Sequence, residues 1–250
     1  MRWQAELDLA TRAARAAGTL LHDAFDQDKR VLSAEGRDIK LQADRDAEAA
    51  IIEVLGESDY NILAEESGEH GELGGGAPFW IVDPLDGTMN FSRGIPLCCV
   101  SIALSRPDDP FLGVVYDFNR DDRFAGVVGE GAWWNGQPMA VSGVAEAEQA
   151  ILSSGFPVNF TYDDAGLREY TDMMRRFKKI RLFGTAALSL ANVACGRVDA
   201  YAEDDIMYWD IAAGYALVAA AGGYVDMQPS GRIKWARRVR CAAREAIWKP

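Results

Sequence analysis

Cysteine and histidine are both scarce in this chain. Its 250 residues include only 4 Cys and 2 His. Cys98 and Cys99 are adjacent within an apolar run, a context that favours reduced core residues over a disulfide or a metal site. His70 stands beside a glycine-rich loop, where an exposed side chain is more common than a metal ligand. The sequence therefore gives little support to a disulfide framework or to a zinc centre.

Positive charge is also in deficit. Lys and Arg number 26 against 38 Asp and Glu, a net charge of −12 at pH 7. This balance argues against nucleic-acid binding through bulk electrostatics, and it repels an anionic substrate unless local metal ions overcome the field. A dense basic cluster is present, and we interpret it as a solvated helix face, with a cationic rim for a second phosphate as the alternative. The cluster consists of Arg175, Arg176, Lys178 and Lys179.

Long hydrophobic runs are missing. The longest apolar stretch, residues 211–225, is rich in Ala and Gly and is shorter than the ~20 residues that a membrane span requires. We interpret it as a buried helix. Near the start, Arg2, Glu6 and Asp8 interrupt any apolar region of the kind that a secretory signal needs. We therefore expect no membrane association and a cytoplasmic location.

The most informative stretch that is present is WIVDPLDGTMNF, residues 80–91. The apolar residues 79–82 predict the end of a buried strand. Pro84 disfavours helix at Asp83, so we expect the strand to stop there. Asp86 stands three residues after Asp83 on the turn that follows, where the two carboxylates can converge on one point.

The next two residues of this stretch suit an anion. Gly87 lets the backbone approach a ligand closely. Thr88 begins a segment that can turn helical and present N–H groups to a phosphate. Acidic side chains, backbone donors and a hydroxyl together make a plausible seat for hard cations and an anionic substrate, and a solvated turn is the alternative of about equal weight.

Two further stretches carry acidic residues at the edge of apolar segments. ILAEE ends in Glu65 and Glu66, and YWDIAAG places Asp210 at the start of a helix. Surface charge explains the two glutamates equally well, and a helix cap explains Asp210. Together with Asp83 and Asp86, however, these residues offer the oxygen ligands that Mg²⁺ prefers.

These motifs resemble a known family. DPLDGTMNF, the preceding AEES and the later WDIAAG are similar to the paired signatures of the inositol monophosphatases, which are Mg²⁺-dependent, lithium-sensitive phosphatases. The resemblance runs over most of the chain. It implies a layered α-β-α-β-α sandwich that combines an α+β and an α/β half, and it implies a homodimer.

The resemblance also implies roles for individual residues. A first metal would bind Glu65, Asp83 and the backbone carbonyl of Leu85, and a second would bind Asp83, Asp86 and Asp210. Thr88 would orient the attacking water, Glu65 would take its proton, and the amides of Gly87 and Thr88 would hold phosphate oxygens. The remaining implied residues are Asp44 for a third metal, Glu203 for a substrate hydroxyl, and Gly184, Thr185 and Ala186 for the pocket wall.

The stretch that holds Asp44 departs from the family pattern. The family has V-T-x-A-D, whereas this chain reads IKLQAD, with Lys40 and Leu41. Asp44 also falls in the first turn of a predicted helix, where the helix dipole favours a carboxylate whatever its function. The role of Asp44 toward a third metal is therefore left open, and Lys40 is interpreted as a surface residue.

The first half of the chain predicts helices packed on antiparallel strands. Apolar periodicity predicts helices over residues 3–25 and 42–55. Strand patterns cover residues 96–104, 111–116 and 123–128, and Asn135-Gly136 is a strong hairpin signal. The pattern loosens over residues 144–149, so we expect a boundary between an N-terminal half, 1–145, and a C-terminal half, 146–250.

Strands and helices alternate in the second half, which indicates an α/β layer. The predicted strands are residues 150–153, 180–183, 200–202 and 224–227. The predicted helices are residues 167–177 and 186–195, followed by the helix that carries Asp210. The polar residues 163–168 are expected to be mobile.

Three hypotheses about function follow. The first is a phosphatase for inositol monophosphate or a related polyol phosphate, in which water attacks directly with no phosphoenzyme. The second is the same chemistry on fructose 1,6-bisphosphate, a 3′-phosphorylated nucleotide or another sugar phosphate. The third is a non-catalytic, metal-loaded regulatory protein, against which the complete set of acidic residues argues.

Overall fold

The computed structural model describes residues 1–27, 31–35, 38–73, 75–156 and 163–249. The side chains of residues 34–40 lie outside that description, and so does the interpretation of Lys40 as a surface residue. Its helices are α1 (Gln4–Phe25), α2 (Gln42–Leu55), α3 (Thr88–Ser92), α4 (Asp164–Met174), α5 (Ala186–Ala194) and α6 (Tyr208–Ala220), with short 3₁₀ helices at Ala147–Gln149 and Glu245–Trp248. Its first ten strands are β1 (Val31–Glu35), β2 (Asp38–Leu41), β3 (Asn61–Ala64), β4 (Gly68–His70), β5 (Phe79–Asp86), β6 (Cys99–Arg106), β7 (Asp109–Asp117), β8 (Asp122–Val127), β9 (Gly131–Trp134) and β10 (Gln137–Pro138). The last five are β11 (Ile151–Ser154), β12 (Lys179–Arg181), β13 (Ala200–Met207), β14 (Tyr224–Pro229) and β15 (Ala236–Ala242).

Two sheets carry the architecture. The first has the order β10-β9-β8-β7-β6-β5-β3-β4 and is antiparallel except for the parallel pair β3–β5. The second has the order β12-β11-β13-β15-β14, with β11 parallel to both of its neighbours. The first sheet thus uses strands from residues 61–138 and the second uses strands from 151–242, on either side of the predicted boundary.

Helices α1 and α2 cover one face of the first sheet. The predicted inward stripe of α1 is buried, from Leu7 to Leu21, and Ile51 and Leu55 of α2 join the same core. Both helices form because their apolar residues recur at helical spacing while the opposite faces stay polar. The first layer of the predicted sandwich is confirmed.

Helices α5 and α6 lie between the two sheets. Both helices are apolar on all faces. Their residues Leu190 and Leu217 pack in one core with Ile81 of the first sheet and Val239 of the second. A helix that is apolar all round is expected in such a doubly covered position. A smaller core with Phe177 and Ile247 closes the outer face of the second sheet. The layered α-β-α-β-α order is therefore confirmed.

The prediction that the central strand stops at Asp83 is wrong. Strand β5 continues to Asp86, and its pairing with β6 shifts between Asp83 and Asp86. Pro84 sits within this irregularity, where a residue without an N–H does not interrupt a ladder bond. The irregular end of the strand carries both aspartates.

Two predictions in the second half also need correction. The helix expected at residues 167–177 begins earlier, at Asp164, because the Asp163 carboxylate accepts the Gly166 N–H at 2.8 Å and caps the helix. The mobility expected of residues 163–168 stays a prediction. The helix then ends at Met174 instead of residue 177. The strand expected at 180–183 is Lys179–Arg181, because the carbonyl of Phe183 bonds to the Asn90 side chain instead of a neighbouring strand.

Strand β15 was not predicted, although it is an interior strand of the second sheet. It pairs with β13 on one side and β14 on the other. Its sequence, ARRVRCA, is rich in arginine, which masks the alternation of inward and outward residues.

Among the described residues, no helix is both long enough and apolar enough to cross a membrane.

The contact between β7 and α6 generates a stability prediction. A Cβ on Gly113 would overlap the backbone carbonyl of Ala213 in α6, whereas a Cβ on Gly143 would meet no atom within 4 Å. Gly113→Ala is expected to lower the free energy of unfolding by about 1–3 kcal/mol, the usual cost of overpacking. Gly143→Ala is the control and is expected to stay within about 0.5 kcal/mol of the parent. Urea titration measures both, and equal values for the two variants would contradict the close contact.

Candidate active site

Three acidic residues from different elements meet at the seam between the helix layer and the first sheet. They are Glu65, which follows β3, Asp83 within β5, and Asp210 in the first turn of α6. Ligand oxygens of all three lie within 4.8 Å of one another. Strands β3 and β5 run parallel and pair Ala64 with Val82, so the residues that follow these two, Glu65 and Asp83, lie side by side.

The three carboxyl groups are held close against their own repulsion. Asp83 is 1% exposed and hydrogen-bonds with Glu65 and with Asp210. Burial first, and then repulsion from neighbouring carboxylates, raises the pKa of both Asp83 and Asp210 well above the ordinary value. Without a cation, such contacts require shared protons. A divalent cation would replace those protons, and an all-oxygen donor set suits Mg²⁺.

Asp86 lies beside this cluster but is anchored differently. Its Oδ2 accepts the Thr185 hydroxyl at 2.5 Å and the Ala187 N–H at 2.6 Å. Burial raises its pKa to about 6, and these hydrogen bonds partly offset that rise. Asp86 therefore ties the end of β5 to the start of α5. It is outside the compact group of three formed by Glu65, Asp83 and Asp210.

Gly87 and Thr88 make the sharp turn that follows. Gly87 has φ +93°, and a Cβ there would lie 2.8 Å from the carbonyl oxygen of Leu97, so only glycine fits. Thr88 is the first residue of α3, as the sequence suggested, and its hydroxyl donates to the Leu85 carbonyl at 2.9 Å. The predicted carbonyl ligand and the predicted water-orienting hydroxyl are thus in direct contact.

Asp44 approaches the site from α2. Its Oδ1 is 3.4 Å from the Thr88 hydroxyl oxygen, and its Oδ2 accepts the Leu41 N–H at 2.5 Å. Burial raises the pKa of Asp44 to about 7. Asp44 therefore caps its helix and also borders the site, so both interpretations of this residue stay compatible with the geometry.

Glu48 is a buried acid that sequence reasoning missed. It lies one turn after Asp44 on α2 and accepts the Glu66 N–H at 2.9 Å. This bond fixes the backbone directly after Glu65. The available signal was its i+4 spacing from Asp44, which puts both acids on one helix face.

Glu203 faces the site from the second sheet. Its Oε2 accepts the Tyr201 hydroxyl at 2.7 Å, and a Cβ on Gly155 would clash with its carboxylate. Burial is the main cause that raises the pKa of Glu203 to about 7, and Asp86 adds repulsion. Tyr201 and Gly155, neither of which was singled out from the sequence, therefore fix the position of this carboxylate.

The predicted pocket loop, Gly184 to Ala186, is joined to α3 by one side chain. The Asn90 amide donates to the carbonyls of Leu97 and Phe183, each at 2.8 Å. Thr185 caps α5 by accepting the Leu188 N–H at 3.3 Å. Asn90 therefore holds the loop against the turn after β5, a role that sequence reasoning did not assign.

The predicted basic cluster lies at and just beyond the end of α4. Arg175 pairs with Asp172 at 3.1 Å, and Arg176 donates to the backbone carbonyls of Ile247 and Lys249. These contacts favour the interpretation of a helix face over that of a phosphate rim.

Burial of the acids predicts how stability depends on pH in metal-free protein. The pKa values of Asp44 and Glu203 are raised to about 7, against about 4 in an unfolded chain. Between these values the folded protein binds more protons than the unfolded protein, so the free energy of unfolding falls as pH rises from about 4 to about 7.

We expect the thermal midpoint in chelator to be lower at about pH 8 than at about pH 5, by an amount that corresponds to about 2 kcal/mol or more. Excess Mg²⁺ is expected to reduce this fall, because the cation offsets the repulsion among the ionised carboxylates. Calorimetric scans with Mg²⁺ and with chelator test the prediction. A fall of the same size under both conditions would contradict metal binding by these acids.

The chain is similar to known proteins along nearly its whole length. The family model for the inositol monophosphatase family matches residues 3–249. An inositol-1-monophosphatase of Synechocystis is 39% identical over 233 residues, which cover 89% of this chain and 79% of the relative. A protein of Xylella fastidiosa named Nus factor SuhB is 38% identical over 224 residues, 88% of this chain and 80% of the relative.

A solved structure agrees as well. The extragenic suppressor protein suhB from Bartonella henselae superimposes with a TM-score of 0.86 at 34% identity, covering 97% of this chain and 95% of that one. The family match spans nearly the whole sequence, and the fold is shared along the same length. The chain therefore belongs to the inositol monophosphatase family.

Proposed function

We propose that this protein is a Mg²⁺-dependent phosphomonoesterase that acts on inositol monophosphate or a related polyol or sugar phosphate. The observation that carries the proposal is the cluster of Glu65, Asp83 and Asp210, whose ligand oxygens lie within 4.8 Å of one another. Because the cluster borders the turn at Gly87, a cation and a phosphate group can be held side by side. We further propose two or three Mg²⁺ ions per site, with Asp86, the Leu85 carbonyl and Asp44 as the additional ligands.

The residues of the chain divide the chemical work. When bound, Mg²⁺ supplies Lewis-acid activation of water and neutralises phosphate charge. Thr88 donates its single hydroxyl proton to the Leu85 carbonyl, which leaves its oxygen to accept a hydrogen bond from the attacking water. Glu65 then takes the proton of that water, and the amides of Gly87 and Thr88 hold the phosphate oxygens. Water attacks phosphorus directly, so no side-chain nucleophile is required.

Glu203 selects the alcohol part of the substrate. Its carboxylate is held by Tyr201 and faces the catalytic acids closely enough to repel Asp86. A carboxylate in this position accepts hydrogen bonds from substrate hydroxyls. This arrangement favours a hydroxyl-rich leaving group such as a polyol.

We propose that the protein is a cytoplasmic, lithium-sensitive homodimer, as the family resemblance implies. Three large apolar side chains are well exposed near the loop that Asn90 ties down, namely Met89 at 48%, Ile95 at 44% and Leu182 at 57%. Exposed apolar residues of this kind are common at protein–protein contacts. They are our candidate for the dimer interface.

A regulatory role is the second candidate function. The Xylella relative is named Nus factor SuhB, and the Bartonella relative is named an extragenic suppressor protein. The apolar residues Met89, Ile95 and Leu182 would equally suit a protein partner. A regulatory role of this kind would not depend on the acidic residues at the site, whereas the proposed phosphatase activity would.

The proposed reaction is tested by phosphate release from a panel of substrates with Mg²⁺ and with chelator. The panel holds myo-inositol 1-phosphate, fructose 1,6-bisphosphate, a 3′-phosphoadenosine nucleotide and several sugar monophosphates. We expect metal-dependent release from the inositol or sugar monophosphates, at a kcat/KM of at least about 10⁴ M⁻¹s⁻¹ for the best substrate. Asp86→Asn is expected to lower that value at least about 100-fold, because it removes one ligand charge.

Asp172→Asn serves as the matched control for this experiment, since Asp172 lies on an exposed helix face and pairs with the exposed Arg175. It is expected to retain full turnover. Release that persists in chelator, or equal rates for Asp86→Asn and the parent, would overturn the metal assignment.

The role of Glu203 generates a separate prediction. Glu203→Gln keeps the shape of the side chain and removes its charge, so kcat/KM for myo-inositol 1-phosphate is expected to fall about 10-fold or more, as for a lost charge-assisted hydrogen bond. Release from a small aryl phosphate, which has no hydroxyl groups to bind, is expected to change less than about threefold. Equal losses on both substrates would show that Glu203 acts on the chemistry or on the fold instead of on selection.

A further inference from the structure

The first turn of α6 is docked on strand β6 by two hydrogen bonds. The hydroxyl of Tyr208, which is fully buried, lies 2.8 Å from the Ser105 hydroxyl oxygen. The Ser101 hydroxyl donates to the carbonyl of Trp209 at 3.3 Å. Asp210 is the next residue, and β6 is the strand directly beside β5, which carries Asp83. The position of Asp210 relative to Asp83 therefore depends on how Tyr208 and Trp209 sit on β6.

Arg237 of β15 packs against this same turn. Its guanidinium carbon lies 4.5 Å from the centre of the Tyr208 ring and 5.8 Å from that of Trp235. The two rings are nearly parallel, at 8°, with centres 6.2 Å apart. The cation is thus held over two aromatic faces, an arrangement that is attractive when water is excluded.

The same arginine joins the two sheets. Its Nη2 is 2.7 Å from the carboxylate of Asp108, in the turn between β6 and β7 of the first sheet, while Arg237 itself pairs with Ile206 in the second. Trp235 adds a contact to Phe79 of β5 and donates from Nε1 to Glu69 at 3.0 Å. The clamp formed by Arg237, Trp235 and Tyr208 therefore joins the two sheets beside the turn that carries Asp210.

Core stability alone does not explain a charged side chain at this position. Arg237 is 6% exposed, and its Nε has no hydrogen-bond partner among the described residues. Its ion-pair partner Asp108 is 52% exposed at the side chain, so the pair gains only modest Coulomb energy while the guanidinium loses its hydration. An apolar side chain of similar size would avoid that cost. The guanidinium contributes orientation instead, because its contact with the Tyr208 ring fixes the plane of that ring and the helical turn that begins there.

We propose that Arg237 is a positioning residue for the metal centre, acting through Tyr208 to hold Asp210 at the correct distance from Asp83 and Glu65. This inference rests on the proposed function, since it assigns Asp210 to Mg²⁺. Arg237 does not touch the metal or the substrate. Its loss removes none of the three acids but lets the first turn of α6, and Asp210 with it, shift on β6, which weakens metal binding more than it slows the loaded enzyme.

The test compares Arg237→Met with Arg238→Met. The two arginines are neighbours on β15, but Arg238 points to the other face, is 51% exposed at the side chain and pairs with Asp226 at 3.3 Å. Titration calorimetry without substrate measures the Kd for Mg²⁺, and phosphate release measures kcat at saturating Mg²⁺. Thermal midpoints in chelator record the effect on stability separately.

Arg237→Met is expected to raise the Kd for Mg²⁺ about 10-fold, the usual effect of losing a partner that orients a metal ligand. Its kcat at saturating Mg²⁺ is expected to stay within about threefold of the parent, and its thermal midpoint in chelator is not expected to fall. Arg237→Lys, which keeps a cation near the ring, is expected to recover part of the affinity. Arg238→Met is expected to match the parent in all three measurements.

An unchanged Kd in Arg237→Met overturns the inference, as does an equal change in Arg238→Met. A lower thermal midpoint with unchanged Kd would assign Arg237 a purely structural role and overturn it as well. If Arg237→Met does not fold, Asp108→Asn replaces it, because asparagine tolerates the φ of +54° at this position. A raised Kd in Asp108→Asn supports the clamp and an unchanged Kd overturns it.

Measurements on the parent protein distinguish failure of this inference from failure of the proposed function. If the parent neither binds Mg²⁺ nor releases phosphate, the proposed function fails. If the parent does both and the Arg237 variants bind Mg²⁺ as tightly, only the role of Arg237 fails.

Discussion

Mutual repulsion among closely spaced carboxylates is the constraint on which the rest of this structure depends. Asp83 is buried and Glu65 and Asp210 are half-buried beside it, with Asp86 close by. Charges of one sign in such a place raise one another's pKa and push the elements that carry them apart. The fold therefore has to supply packing and hydrogen bonds that hold each acid in position until a cation neutralises the group.

Each acid is anchored from a different layer. Asp86 is bonded to the start of α5 through Thr185, and the backbone after Glu65 is bonded to Glu48 of α2. Asp210 lies in the first turn of α6, which packs on β6 through the hydrogen bond between Tyr208 and Ser105. Because the anchors lie in separate layers, no single element can relax to relieve the repulsion. The layered sandwich thus serves as the frame that makes the proposed metal centre possible.

The sequence was informative where chemistry is local. The strand before Asp83, the glycine turn at Gly87 and the helix at Asp210 are each encoded within a few residues, and the structure contains all of them. It was uninformative where position depends on partners far along the chain. Asn90 ties down a loop more than ninety residues later, and Arg237 reaches Asp108 across the two sheets. Such contacts depend on strand register and layer order, and periodicity in a single stretch does not encode either.

Helix α6 links core packing to the proposed metal site. One end carries Asp210, and the remainder lies in the core between the two sheets. Gly113 lets β7 approach its backbone, and Gly214 lets α5 approach it from the other side, where a Cβ would overlap Leu190. Close packing of this kind has few alternative arrangements, so a displacement at one end is transmitted along the helix. The affinity of the proposed metal site for its cation would therefore depend on the packed layers as much as on the carboxylates themselves.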